Sequence, residues 1–137
     1  MRIENPSKEY KTTGKTVYSC QYHVVFCPKY RRRVLVHPID ERLKELIYEK
    51  QEAYGYEIIE LEVMPDHVHI LMSVNPVIGV NSALAKIKGY TSHTIRDEFP
   101  FMKKRLPSLW TRSKFISTVG GVTLDVVKKY IEDQKGR

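Results

Sequence analysis

Two histidines separated by one residue, His67 and His69, are the pair in this chain whose type and spacing could do chemistry. They sit in the run Val63-Met64-Pro65-Asp66-His67-Val68-His69-Ile70-Leu71-Met72. In a β-strand the side chains repeat every two residues, so both imidazoles fall on one face, with Val68, Ile70 and Met72 on the other. Two imidazoles side by side above a sheet suit a divalent ion. Taken alone, the pair reads more readily as ordinary solvated or hydrogen-bonded histidines without metal.

A second candidate lies near the C-terminus, in Tyr130-Ile131-Glu132-Asp133-Gln134. Tyr130 and Gln134 stand i and i+4, so they share a helical face. Lys128 and Lys129 precede the tyrosine, and a phenol attacks poorly unless a base, nearby cations or a metal assists. Taken alone, Tyr130 reads more readily as a half-buried tyrosine at a helix interface, and Gln134 as a surface glutamine. Taken together, the residues suit phosphoryl transfer. Two histidines and the Gln134 carbonyl would hold a divalent ion with positions left open for phosphate and water. Imidazole nitrogen leans away from Mg²⁺, whereas Mn²⁺ tolerates both oxygen and nitrogen, so the expected cofactor is Mg²⁺ or Mn²⁺.

Elements must position these residues. Residues 1–15 read as an irregular arm. Val17–Phe26 reads as a strand, ended by Pro28 and the basic cluster Lys29-Tyr30-Arg31-Arg32-Arg33. Pro38–Tyr54 reads as a helix with Leu43, Leu46, Ile47 and Tyr54 inward, acidic residues at its start and Gly55 as its stop. Tyr56–Met64 and His67–Val74 form a hairpin across the Pro65-Asp66 turn. A helix from Gly79 or Asn81 to about Phe99 turns Ala83, Leu84, Ile87, Tyr90 or Thr91, and Ile95 inward. A basic connection leads to a strand over Leu109–Thr118, then a break at Gly120-Gly121 and a helix over Val122–Gln134. The first six elements spell βαββαβ. The expectation is an α+β, ferredoxin-like or RRM-like fold, with a four-stranded antiparallel sheet and a C-terminal helix carrying the tyrosine.

The 137 residues, 42% hydrophobic and 28% charged, suit a single domain spanning 1–137. No apolar run approaches a spanning helix and no signal-peptide pattern opens the chain, so a cytoplasmic protein is expected, with no membrane partner. Cys20 and Cys27 form no zinc spacing. Twenty-three Lys and Arg against 16 acidic residues give +7, which favours a polyanionic partner. Nine tyrosines interleave with the basic clusters, a pattern that suits stacked single-stranded bases.

Several segments occur together in an order that resembles the single-tyrosine transposases of the insertion sequence 200/605 family, within the His-hydrophobic-His endonucleases. They are Tyr22-His23-Val24-Val25-Phe26 with Pro28-Lys29-Tyr30-Arg31-Arg32, Met64-Pro65-Asp66-His67-Val68-His69, the Lys86–Thr94 helix, Leu109-Trp110 with Phe115-Ile116-Ser117-Thr118-Val119-Gly120, and Tyr130-Ile131-Glu132-Asp133-Gln134. The resemblance implies a prokaryotic enzyme that cuts and rejoins single-stranded DNA at the ends of a mobile element. Tyr130 would be the nucleophile that forms a 5′-phosphotyrosine, and His67, His69 and Gln134 the metal ligands. It also implies recognition of subterminal DNA hairpins. A homodimer is implied as well, with two sheets joined side by side and the tyrosine helices kept or exchanged between subunits. Gly120-Gly121 fits such an exchange and equally fits an ordinary turn. Lys29, Tyr30, Arg31, Arg32, Arg33, Lys86, Lys88, Arg112 and Lys114 are the candidate DNA contacts. The rival readings are a non-catalytic nucleic-acid-binding module on the same scaffold, which leaves the histidines and Gln134 without roles, and a replication or conjugation nicking enzyme.

Overall fold

The structure, a computed structural model, describes residues 11–13, 16–119 and 124–136. In chain order the elements are β1 (Lys11–Thr13), β2 (Thr16–Tyr18), β3 (Gln21–Phe26), α1 (Ile39–Glu49), α2 (Gln51–Tyr54), β4 (Tyr56–Met64), β5 (His67–Val74), α3 (Val80–Glu98), α4 (Phe101–Arg105), β6 (Phe115–Thr118) and α5 (Leu124–Asp133). The main sheet runs β4-β5-β3-β6 with every neighbouring pair antiparallel. This is the ferredoxin-like order, in which the two βαβ halves interleave.

The expected element types hold, and their differences have local causes. The N-terminal arm is not wholly irregular, because β1 and β2 pair as a small hairpin, Lys11 opposite Tyr18. The strand expected over Val17–Phe26 therefore breaks at Ser19-Cys20, and only its second part joins the main sheet. The helix expected over Pro38–Tyr54 is interrupted at Lys50, whose backbone (φ −98°, ψ 9°) leaves the helical region. Gly55 does end it, at φ +75°. A Cβ there would meet Ile78 Cδ1 at 2.1 Å, so a larger residue would have to displace the tip of that side chain as well as adopt a backbone angle that favours glycine. The basic connection after α3 contains α4, which buries Met102. The strand expected over Leu109–Thr118 shrinks to Phe115–Thr118. Its first part turns away after Trp110, which makes an isolated bridge to Pro28. Gly120-Gly121 lies outside the described residues.

The sheet has two different faces. Against one pack α1 and α3, burying Val24, Phe26, Val68, Ile70 and Met72 with Leu43, Leu46, Ile47, Leu84, Ile87 and Ile95. A buried Leu or Ile contributes roughly 1.5–3 kcal/mol, so this layer dominates the stability of the domain. Trp110 closes its end, edge-on to Phe26 at 4.7 Å, with its Nε1 donating to Thr91 Oγ1 at 3.0 Å. Arg42 forks onto Glu98 at 2.8 and 2.9 Å and ties α1 to α3. The opposite face carries a smaller cluster, in which Val127 and Ile131 of α5 pack on Val25, with Phe115 and Tyr130 alongside.

Candidate active site

His67 and His69 both point to the face that α5 covers. Residue pairing puts His69 opposite Val25 of β3 and opposite Glu62 of β4, on a strand flanked by neighbours on both sides. Val25 is also the sheet residue on which Val127 and Ile131 sit. The tyrosine helix is therefore seated on the immediate cross-strand neighbour of a histidine, which brings the two sequence motifs to one face. Both rings are buried, His67 at 8% and His69 at 2% exposure.

The two histidines are prepared differently. His67 Nδ1 lies 2.8 Å from Asp66 Oδ1. A carboxylate oxygen accepts here, so Nδ1 is the donor, and in a neutral ring Nε2 then keeps its lone pair. That Nε2 is buried and has no hydrogen-bond partner among the described residues. A buried polar atom left so is costly, and a histidine held through one nitrogen by a carboxylate is the arrangement in which the other nitrogen ligates metal. His69 is pushed down to about 3, first by burial and then by its neighbours His23 and His67. It is a neutral imidazole at ordinary pH, the form that ligates metal. His23 meets His69 edge-on at 5.8 Å and is itself lowered by burial, against the pull of Glu60. The donor chemistry thus fits a divalent ion.

The other half of the site is built on α5 and the loop before β6. Tyr130 is half-buried, its ring tilted against Phe115 with centroids 5.3 Å apart. Its hydroxyl lies 3.4 Å from Ser113 Oγ. Ser113 Oγ in turn donates to Gln134 Oε1 at 2.5 Å, and Gln134 Nε2 reaches the Tyr130 carbonyl at 3.4 Å. Gln134 is only 2% exposed, so it is not the surface residue that its type suggests. Its carbonyl oxygen, expected to face a metal, is engaged by Ser113 in this arrangement, and ligation would exchange that bond. Ser113 escapes sequence reasoning because it falls in a segment that reads as strand. Only the break after Trp110 turns it toward the tyrosine.

Beneath this loop lies Lys88, half-buried, donating to the carbonyls of Thr111 at 2.7 Å and Ser113 at 3.5 Å. Burial, and then Lys114, lower it to about 8. Cys27 is excluded as a rival nucleophile, since burial and Asp66 push its thiol up to about 12.

Arg31 also differs from the other candidate cations. Tyr30 (φ 61°) and Arg31 (φ 50°) are two consecutive non-glycine residues in the left-handed region. Each costs about 1–2 kcal/mol there. The turn is held by Lys29 N–H donating to the Leu109 carbonyl and Arg31 N–H to the Pro28 carbonyl, both at 2.8 Å. It sends the Arg31 side chain inward, to 11% exposure and 3.3 Å from Asp66 Oδ2. By contrast Arg32, Arg33, Lys86, Arg112 and Lys114 are exposed, Lys29 is partly so, and Tyr30 is 44% exposed with the Lys29 ammonium 5.3 Å from its ring centroid.

Comparison with known proteins bears on the family and the fold. The family model described as IS200-like transposase matches residues 16–134. The chain is 37% identical over 120 residues to the ISDra2 transposase TnpA of Deinococcus radiodurans, covering 86% of each. It is 30% identical over 130 residues to the transposase for insertion sequence element IS200 of Salmonella typhimurium, covering 91% of this chain and 86% of that one. The crystal structure of a transposase from Deinococcus radiodurans superposes with a TM-score of 0.82 at 32% identity, over 93% of this chain and 99% of that one. A REP-associated tyrosine transposase bound to a REP hairpin shares the fold, with a TM-score of 0.57 at 14% identity, over 95% of this chain and 69% of that one. With a family match that runs from β2 to Gln134 and relatives matched over most of their length, the chain belongs to the IS200-like transposases.

Proposed function

We propose that this transposase cleaves and rejoins single-stranded DNA at the ends of an insertion sequence through a 5′-phosphotyrosine formed on Tyr130. The observation that carries the reading is the seating of the tyrosine helix on Val25, the cross-strand neighbour of His69. That packing sets a phenol on the same face as two buried imidazoles, one of them oriented by a carboxylate.

In the proposed reaction the Tyr130 phenol gives up its proton and its oxygen attacks the scissile phosphorus. The bond from phosphorus to the 3′-oxygen breaks, and that oxygen takes up a proton to leave a free 3′-OH. In the second step a 3′-OH attacks the phosphotyrosine, the tyrosine oxygen leaves and is reprotonated, and a DNA phosphodiester is restored. One phosphate ester replaces another at each step, so no nucleotide cofactor is needed. His67, His69 and Gln134 would hold Mg²⁺ or Mn²⁺, which when bound supplies Lewis-acid polarisation of the phosphate. Asp66 fixes the His67 tautomer, and burial keeps His69 neutral.

The substrate is proposed to carry subterminal hairpins. Support comes from the family and from the hairpin held by the REP-associated relative of the same fold. The exposed cations Arg32, Arg33, Lys86, Arg112 and Lys114 are available to its phosphates. A homodimer acting in the prokaryotic cytoplasm is proposed on the same family ground. No helix among the described residues is long and apolar enough to cross a membrane.

The polarity of attachment tests the reading. A single-stranded element end labelled at its 3′ terminus is expected to shift to a protein adduct on a denaturing gel. The same strand labelled at its 5′ terminus is expected to yield a shorter free fragment ending in 3′-OH. An adduct carried by the 5′-labelled fragment, or cleavage with no adduct at all, would overturn it.

A further inference from the structure

We infer that Arg31 is a positioning residue that locks the tyrosine helix to the carboxylate of the metal-ligand turn, instead of serving as a DNA contact. The inference rests on the proposed function, whose site it deepens. It starts from a path of bonds. Asp66 Oδ1 holds His67 Nδ1 at 2.8 Å, and Asp66 Oδ2 lies 3.3 Å from Arg31 Nε. On its other edge, Arg31 Nη1 donates to the carbonyl of Ile131 at 3.0 Å. Ile131 follows Tyr130 on α5, and Gln134 lies just past the end of that helix. One guanidinium therefore connects the turn that orients a metal ligand to the helix that carries the nucleophile.

Three properties suit Arg31 to this role. Its donors diverge from a rigid plane, so Nε and Nη1 reach two partners on opposite edges in a fixed geometry, which the compact ammonium of a lysine does not hold. Its second partner is in the last turn of a helix, where the dipole favours a cation, and the Ile131 carbonyl accepts the guanidinium beside the Gln134 N–H, at 3.2 Å. And its direction is enforced by two consecutive left-handed residues, a strained backbone that the surrounding bonds hold in place. A phosphate contact has no need of such strain, and a guanidinium at 11% exposure presents little to solvent. The neighbouring Glu132, at 3.8 Å and exposed, adds little.

The link makes one mechanical statement. Removing it should loosen α5 relative to His67 even with no metal or DNA present, and should slow chemistry without weakening DNA binding. Hydrogen exchange by mass spectrometry on the metal-free full chain reads the first part. In Arg31→Lys, which keeps the charge and loses the fork, amides over 131–136 are expected to exchange about tenfold faster or more, with α1 unchanged. Asp66→Asn breaks the link from its other end and is expected to accelerate the same amides, which covers the case in which Arg31→Lys disturbs its own turn. Pre-steady-state assays with Mn²⁺ read the second part. The rate of adduct formation at saturating DNA should fall about tenfold or more, with KM for DNA and the salt dependence of binding unchanged.

Unchanged exchange over 131–136 in both variants would overturn the inference. So would a raised KM with an unaltered rate at saturation, which would make Arg31 a DNA contact. The exchange arm needs no reaction. If adduct polarity failed while exchange behaved as stated, the proposed chemistry would fall and the Arg31 link would stand.

Discussion

Asp66 and His67, adjacent in the chain, are joined through their side chains, Oδ1 to Nδ1 at 2.8 Å. The bond assigns the proton to Nδ1 and leaves the buried Nε2 as the ligating atom. Asp66→Ala should therefore weaken Mn²⁺ binding about 10- to 100-fold while both histidines remain. Titration of free Mn²⁺ by electron paramagnetic resonance measures this directly, and wild-type affinity would dismiss the role given to Asp66. His67→Ala should lose metal-dependent cleavage altogether, with far-ultraviolet circular dichroism unchanged.

Tyr130→Phe removes one oxygen from a half-buried ring that keeps its packing on Phe115. Its hydrogen bond to Ser113 is long, at 3.4 Å, so the loss of that bond should cost less than about 1 kcal/mol. Covalent attachment to single-stranded DNA should vanish while hairpin affinity is retained. Labelled oligonucleotides on denaturing and native gels separate the two, and an adduct persisting in this variant would remove Tyr130 as the nucleophile.

Acid should destabilise the metal-free protein through His69. Its folded-state value of about 3 lies below its ordinary value of 6.5. Between these limits the unfolded chain binds the additional proton, so stability rises with pH across that window. The contribution is whole above 6.5 and is lost as pH falls from there toward 3. From pH 6.5 to 5 the loss is at most about 2 kcal/mol, at 1.36 kcal/mol for each pH unit. Thermal melting at several pH values would show the slope, and His69→Gln should flatten it.

Lys88→Met should disturb the loop that presents Ser113. It deletes a charged donor from the Thr111 and Ser113 carbonyls, at a cost of about 1–3 kcal/mol. Denaturant unfolding checks the stability. Adduct formation should slow with it, because Ser113 bonds to both Tyr130 and Gln134.

The exposed cations should behave otherwise. Arg112→Ala and Lys114→Ala should each lower the dependence of log K on log salt by about one unit for each phosphate no longer neutralised. Lys88→Met should leave that slope unchanged, since its ammonium is committed to carbonyls. Fluorescence anisotropy with a hairpin oligonucleotide over a salt series distinguishes them.

Much of the fold was legible because hydrophobic periodicity reports local structure. The apolar run of His67–Val74 follows from a strand buried on both faces, the stripe Ala83, Leu84, Ile87, Ile95 from one buried helical face, and Gly55 marks a left-handed stop that few other residues tolerate. Where local pattern and structure part, a nonlocal partner decides. Trp110 leaves the strand pattern to bridge Pro28 and bond Thr91, and α4 forms where Met102 finds the core.

The sequence by itself determined the chemical inventory: two histidines on one face of a strand, a tyrosine and a glutamine on one face of a helix, and a basic surface. Strand and helix periods are local properties, so spacing suffices for these. Only the tertiary structure decided that the two faces meet on Val25, that Ser113 enters the site, and that Arg31 and Lys88 turn their charges inward while their neighbours face solvent. Direction and burial depend on partners distant along the chain. Arg31 and Ile131, 100 residues apart in sequence, meet only when α5 is packed across the sheet.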